Sequence, residues 1–441
     1  MRGWVRMSKK NKKTLVPNLR FPEFRGKGEW EKIKLIDTAD KKKKWSFIGG
    51  PFGSNLKSSD YTETGVRIIQ LQNIGDAEFI DTYKIFTSEE KANELLSCNI
   101  HPCEIILSKM GDPVGRACLI PNYHTRYVMC SDGIRLVVNE NLYSKYFIYS
   151  LINSDQFRST IENNSTGSTR KRIGLDVLRN LPMSVPKRQE QQKIADCLTS
   201  LDELITAEAG KLEALKSHKK GLMQKLFPAE GETVPEWRFP EFRGKGEWEV
   251  KPLDDIAFFY KGKGISKSDI DPQGETPCIR YGELYTIYDE VIGEVFSKTK
   301  LPSSELFLCK SNDVLIPSSG ETKIDIAKAS CVLLNDVALG GDLNVLRSNT
   351  NGIFLSYLLN GAYKREIAKK AQGDTIVHLY ASQLKLLNIM IPMEAEQQKI
   401  AYCLTSLDEL ITAQSQKIEA LKAHKKGLMQ GLFPPADEVG V

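Results

Sequence analysis

Two stretches of the chain carry apolar residues at an unbroken spacing of 4,3,4,3. The first series runs Ile194, Leu198, Leu201, Ile205, Glu208, Leu212, Leu215, Lys219, Leu222 and Leu226. The second runs Ile400, Leu404, Leu407, Ile411, Gln414, Ile418, Leu421, Lys425, Leu428 and Leu432. A seam of this period predicts a long helix that buries one narrow stripe, as in a coiled coil. Pro186 and Pro392 stand where a first-turn proline is tolerated, and Pro228 and Pro434 stop the helices. Glutamates near each start and HKK in the last turns complement the macrodipole. At a rise of 1.5 Å per residue each helix would be about 55–60 Å long. Two helices with one seam in common most simply pack on each other, and an antiparallel pair opposes the dipoles. The polar intruders Glu208, Lys219, Gln414 and Lys425 would then help fix register. The alternative is that each helix is buried in its own domain.

The segments between read differently. GVRIIQLQNI (65–74), EIILS (104–108) and GIRLVVN (133–139) are rich in β-branched residues and bounded by turn formers, which predicts strands. YSKYFIYSLINSDQFRSTIENN (143–164) reads as a helix, with a counterpart in FLSYLLNGAYKREIAKKA (354–371). These blocks are therefore α/β.

Helices and blocks are both duplicated. EQQKIADCLTSLDELITAEAGKLEALKSHKKGLMQKLFP (190–228) returns at 396–434 with 32 of 39 positions identical, an offset of 396 − 190 = 206. RFPEFRGKGEWE occurs unchanged at 20–31 and 238–249, an offset of 238 − 20 = 218. The second copy is thus shorter by 218 − 206 = 12 residues in its middle. Between these landmarks the blocks diverge almost everywhere. Skeletal echoes remain: GSTRKRIGLDVLRNLPMSVP with GDTIVHLYASQLKLLNIMIP, and CEIILSKMGDPVG with NDVLIPSSGETK. The pattern suggests one attachment role performed twice and two different reading roles. The expected order is a basic flexible N-terminus (1–16), a variable domain (17–186), a spacer helix (187–228), a second variable domain (229–392), a second spacer helix (393–434) and a tail (435–441).

Composition narrows the class. At 441 residues the chain is too long for one ordinary core, and 41% hydrophobic with 27% charged residues fits a soluble globular protein. Absence of a secretory pattern or long apolar run, with nine cysteines and no CxxC pair, predicts a cytoplasmic protein without disulfide framework, zinc site or membrane span. Met7 is an alternative start. A net charge of +5 decides little, but Lys and Arg cluster in KKNKK, KKKK (41–44), TRKR (169–172) and HKK, the footprint of phosphate binding or of solvated loops.

Catalytic signatures are missing: there is no GxxxxGK[ST], HExxH or GxSxG. Asp313 followed by Glu321, Thr322 and Lys323 has the outline of a magnesium-dependent nuclease. The first copy offers Glu104 and then Gly111, Asp112 and Pro113, without the lysine, so a turn between strands explains both. Polar loops carry a better signal, because base edges are read by Arg, Lys, Asn, Gln and Ser, and phosphates are held by Lys, Arg and backbone N–H groups. In the first block these loops supply Ser54, Asn55, Lys57, Lys109, Arg116, Thr169, Arg170, Lys171 and Arg172 as DNA contacts. In the second they supply Lys261, Lys263, Arg280, Tyr281, Ser318, Ser319, Lys323 and His378.

Two variable blocks, each followed by a long helix opening near EQQKIA, resemble the specificity subunit of type I restriction–modification enzymes. GPFGSNLKSSDY, the two approaches to the helices and the paired EQQKIA…LFP segments carry the resemblance, which spans roughly residues 16–434. It implies two target recognition domains related by a pseudo-twofold axis, each reading half of an asymmetric bipartite sequence in double-stranded DNA. The long helices would space them. Two methyltransferase subunits would dock on the repeated surfaces, and two motor–nuclease subunits would complete the restriction form. S-adenosylmethionine, Mg2+ and ATP would reside on those subunits, with none on this non-catalytic chain. On the RFPEFRG segment, which Pro22 should keep extended, Phe21, Phe24 and Trp30, and likewise Phe239, Phe242 and Trp248, are expected as aromatic anchors at the helix ends and in partner docking. The second block shows no counterpart of GPFGSNLK. The competing reading is a coiled-coil scaffold with two protein-binding domains.

Overall fold

The computed structural model describes residues 16–373 and 376–434. The basic segment before residue 16, the tail 435–441, and Asp374 and Thr375 of the QGDTIVHLY loop lie outside the described residues. The chain divides into two compact units. Unit 1 holds the described residues up to Ala207 and those from Ile418 on, and unit 2 holds Glu208–Lys417. Each contains the start of one long helix and the end of the other.

The long helices are Arg188–Leu226 and Glu394–Leu432, 39 residues each. Every seam position is buried or half-buried, whereas His218 and His424 are exposed. In unit 1 Ile194, Ala195 and Leu198 share a core with Leu432 and Phe433, and Lys425 pairs with Asp202. In unit 2 Leu226 and Phe227 share a core with Ile400, Ala401 and Leu404, and Lys219 Nζ lies 2.7 Å from Asp408 Oδ1. Helix starts thus meet helix ends within each unit. The buried stripe runs along both helices as their spacing requires.

In unit 1 a four-stranded sheet orders 47–49, 133–136, 105–108 and 117–119, all neighbours antiparallel. A second sheet orders 61–62, 85–87, 66–69, 127–129 and 99–100, with 127–129 parallel to 66–69. Unit 2 repeats both. Strands 257–261, 343–348, 314–317, 330–332 and 291–292 form one sheet, and 297–299, 276–279, 338–339 and 307–308 the other. The parallel pair recurs as 276–279 with 338–339. The central strands are buried at nearly every position, so they read as apolar runs rather than alternations.

The helix expected over 143–164 is two helices, Lys145–Ile152 and Asp155–Asn163. Asn153 ends the first, its amide donating to Ala117 O at 3.1 Å, and Ser154 caps the second, accepting from Phe157 N at 3.3 Å. The counterpart likewise divides into Gly352–Gly361 and Lys364–Lys370.

The unchanged RFPEFRG head has one geometry in both units. Residues 22–24 and 240–242 form a 3-10 turn with proline at its first position, not the extended segment expected. Arg20 makes a two-point ion pair with Glu190 at 2.7 Å on both arms, and Arg238 makes the same pair with Glu396 at 2.7 and 2.6 Å. Each guanidinium also donates to a head carbonyl, Gly28 or Gly246. The opposite edge of the head reaches a helix end, through Leu19 N to Gly431 O (2.8 Å) and Trp237 N to Lys225 O (2.9 Å). Trp30 packs on Phe147, and Trp248 on Phe227 and Phe354. Both tryptophans are 2% exposed, so they are core residues rather than docking surface; Phe242 is buried too. Phe21, Phe24 and Phe239 remain half-buried, with Lys193 over Phe21 and Lys399 over Phe239.

Candidate nucleic-acid interface

Two loops that the sequence separates widely are joined in each unit by a strand pair two residues long. In unit 1 Met110–Gly111 pairs antiparallel with Lys171–Arg172, and in unit 2 Ser319–Gly320 pairs with Val377–His378. The second strand of each turns back on itself: Thr166 exchanges two backbone hydrogen bonds with Arg172, and Gln372 does so with His378. A glycine makes this turn possible. Gly167 and Gly373 have φ of +103° and +105°, and a Cβ would sit 2.8 Å from Arg170 O or 2.2 Å from Ile376 O. Thr169 and Arg170 are thereby held exposed at the tip, with Lys171 and Arg172 behind them. By the repeat offset, His378 occupies the position of Arg172 (172 + 206 = 378).

A tight turn gathers the remaining loops. In unit 1 Lys109 N donates to Asp132 O at 2.7 Å, the Asp132 carboxylate pairs with Arg172, and Ile173 N donates to Lys109 O at 3.0 Å. Gly50 lies against the same turn, where a Cβ would come within 1.8 Å of Cys130 O. Burial pushes the Cys130 thiol up to about 11, so it stays neutral there. In unit 2 Ser318 N donates to Asp342 O (2.8 Å), Leu379 N to Ser318 O (3.1 Å), Lys263 N to Leu339 O (2.8 Å) and Gly340 N to Ile279 O (2.9 Å). Loops bearing Lys263, Arg280, Ser318, Ser319 and His378 therefore converge on Leu339–Asp342. Sequence reasoning missed Asp132 and Asp342. The signal available was a small-residue turn, CSDG and LGGD, just before a buried strand.

The GPFGSNLKSSDY loop does have a counterpart, which corrects the expectation drawn from sequence. Gly50 and Gly262 both end a sheet strand and both press on a carbonyl, Cys130 O and Gly340 O at 1.8 and 2.0 Å from a Cβ. Each loop then closes in a 3-10 turn whose aspartate accepts from the backbone before it, Lys57 N to Asp60 at 2.7 Å and Ser266 N to Asp269 at 2.8 Å. A threonine from the facing strand seals each, Thr87 Oγ1 to Asp60 O (2.8 Å) and Thr299 Oγ1 to Asp269 O (2.7 Å). Only a glycine and a short S/K-S-D run are common to the two, too little for sequence inspection to pair them.

Ser54, Asn55 and Lys57 are exposed on the first loop, as is Lys261 beside the second, and Arg116 is half-buried beside Gly111. Tyr281 is half-buried and its ring sits 6.4 Å from Tyr285. Ser318 and Ser319 are buried; Ser318 Oγ has no partner among the described residues, and Ser319 Oγ lies 3.2 Å from His378 Nδ1. The His378 ring stacks on exposed Tyr380 at 6.1 Å. Lys171 pairs with Glu162 and holds that carboxyl below the usual range. Lys323 opens the short helix Lys323–Ile326, which Thr322 caps.

The nuclease outline dissolves in three dimensions. Asp313 is 1% exposed and both its oxygens are taken by Arg347, at 2.8 and 2.7 Å. Glu104 is held the same way by Arg135, at 2.7 Å on each arm. Both carboxylates brace the sheet. Among the described residues no group of His, Cys, Asp and Glu side chains could hold a metal ion. No described helix is long and apolar enough to cross a membrane.

Residues 28–217 and 245–423 each match the model of the type I restriction modification DNA specificity domain. The chain belongs to that family. Type I specificity subunits are non-catalytic components of their systems, and the family assignment carries that statement to this chain. Two Methanocaldococcus jannaschii proteins are similar along much of their length. The type I restriction enzyme MjaVIII specificity subunit is 26% identical over 65% of this chain and 69% of its own. The MjaIX specificity subunit is 23% identical over 92% of each. The fold is shared with the crystallised type I S subunit from M. genitalium, at a TM-score of 0.56 and 17% identity over 96% of this chain and 100% of that one. A chain from a structural study of type I complex assembly and conformational transition matches at 0.56 and 15% identity, over 92% and 97%.

Proposed function

We propose that this chain is the DNA-reading subunit of a type I restriction–modification complex, in which each unit reads one half of a bipartite target. The observation that carries the reading is the paired construction of the loops: in both units a glycine-dependent turn and a two-residue strand pair bring polar and basic loops to one sheet end. The scaffold is common to both units, but the side chains at the matching position differ, an exposed Arg172 in one and a half-buried His378 in the other. Two half-sites of different sequence follow from that difference. Lys109, Thr169, Arg170 and Lys171 join Arg172 in unit 1, and Lys263, Arg280, Ser319 and Tyr281 join His378 in unit 2. The charged members hold phosphates and the others hydrogen-bond base edges.

The long helices act as an antiparallel coiled-coil spacer that fixes the gap between half-sites. Two methyltransferase subunits receive the repeated surfaces, and two motor–nuclease subunits join in the restriction form. S-adenosylmethionine, Mg2+ and ATP belong to those partners. The test is methylation mapping of DNA from cells expressing the chain with its cognate methyltransferase subunit. A split motif with methyladenine in both halves is expected, and replacing residues 165–172 should alter one half only. If both proteins are soluble and associated yet no new motif appears, the scaffold reading takes over.

A further inference from the structure

Glu208 and Gln414 occupy the same position of the duplicated helix, since 208 + 206 = 414, and they touch each other. Gln414 Nε2 donates to Glu208 Oε2 at 2.6 Å and to Glu208 O at 2.9 Å, and Lys417 Nζ adds an ion pair to the same carboxylate. Lys417 and then Gln414 hold the Glu208 carboxyl below the usual glutamate range, so it is charged at neutral pH.

The other polar seam contacts behave differently. Asp202 pairs with Lys425 and Asp408 with Lys219, and these are the same two repeat positions, because 202 + 206 = 408 and 219 + 206 = 425. A helix carrying them can satisfy them with its counterpart in this chain or with a copy of itself from a second chain. The near-identical apolar seam discriminates no better. Among the polar contacts that join the two helices in the described residues, the one at 208/414 brings a position against its own counterpart, and there the residues differ. Two first helices would set Glu208 against Glu208. Of the 39 − 32 = 7 positions at which the helices differ, four fall at 208, 209, 210 and 212 with 414, 415, 416 and 418. Divergence is concentrated where self-pairing would be sensed.

We infer that Glu208, set against Gln414 and Lys417, is a specificity residue that directs the first helix to the second helix of its own chain and rejects a second copy of the first. The inference rests on the antiparallel pairing proposed above. A single polar position in a seam sets partner choice in helical pairs, and like charges placed together in an interface disfavour the wrong partner.

The test refolds an equimolar mixture of unlabelled and 15N-labelled full-length chains, followed by lysine cross-linking and mass spectrometry. Wild type should give links between first and second helices within one isotope, with mixed-isotope links joining two first helices rare. Glu208→Gln makes the position alike in both helices, and mixed-isotope links between first helices should rise about tenfold. The exchange Glu208→Gln with Gln414→Glu should return them to the wild-type level, because Lys211 stands where Lys417 does (211 + 206 = 417). Should Glu208→Gln not fold, Gln414→Glu alone also equalises all pairings and should give the same rise. Equal mixed-isotope links in wild type and these single variants would overturn the inference while leaving the antiparallel pairing intact. A wild-type chain without links between first and second helices would remove the pairing itself.

Discussion

Truncating Arg20 is the most direct test of how the repeated head holds each unit. Its guanidinium and the Glu190 carboxylate are 8% and 4% exposed, and two hydrogen bonds of 2.7 Å join them. Removing one member of a buried pair leaves the other charged and unpaired, which costs about 3–5 kcal/mol. Glu190 keeps one further donor, Trp30 Nε1 at 3.3 Å, so Arg20→Ala should fall near about 3 kcal/mol. Unit 2 lacks that reserve. Glu396 is 1% exposed, and Trp248 Nε1 has no partner among the described residues, so Arg238→Ala should cost nearer about 5 kcal/mol. For domains of 150–250 residues each kcal/mol is about 2–4 °C, giving about 6–12 °C for Arg20→Ala. Calorimetry on the full chain reads both. Replacing the pair together, Arg20→Met with Glu190→Met, leaves no orphan charge and should recover most of the loss. A single-variant loss under about 1 kcal/mol, or a double variant as unstable as the single, would refute the argument.

Three further outcomes are expected. Lys219 lies 2.9 Å from Glu290 and 2.7 Å from Asp408, and Glu290 is pushed up by burial but drawn down further by Lys219 and Lys328, ending below the ordinary glutamate value of 4.5. Its stabilisation is therefore complete above that value and lost as pH falls through the lower folded one; acid unfolding of unit 2 should show it, and Lys219→Met should weaken that acid dependence while lowering stability at pH 7. Gly167→Ala forces a side chain into a φ of +103° and against Arg170 O, at about 1–3 kcal/mol locally; methylation mapping should show one half-site changed and the other kept, with Gly373→Ala altering the opposite half. Arg170→Ala removes an exposed cation at the tip of the loop, and the slope of log K against log salt should fall by about 1 with little change in sequence preference in a binding titration.

The sequence by itself determined the long seams, the central strands and the duplication, though not the break at Asn153 and Ser154 that divides the helix expected over 143–164. The 4,3,4,3 seam foretold two long buried-face helices, the runs at 105–108 and 133–136 foretold central strands, and the duplication foretold two units of one design. Such features are legible because helix and strand periods are local and the chain states each twice. What the tertiary structure decided is pairing across distance. A two-residue strand such as Met110–Gly111 is too short to show a period, so its union with Lys171–Arg172 appears only in the folded unit. Arg20 and Glu190, 170 positions apart, give no sign in sequence that they will share a buried site. Composition marked the candidate loops, but the turns at Asp132 and Asp342 decided which of them meet. The kinship of the Gly50 and Gly262 loops likewise needed backbone geometry, because a close carbonyl and a capping aspartate constrain the chain without fixing its other residues.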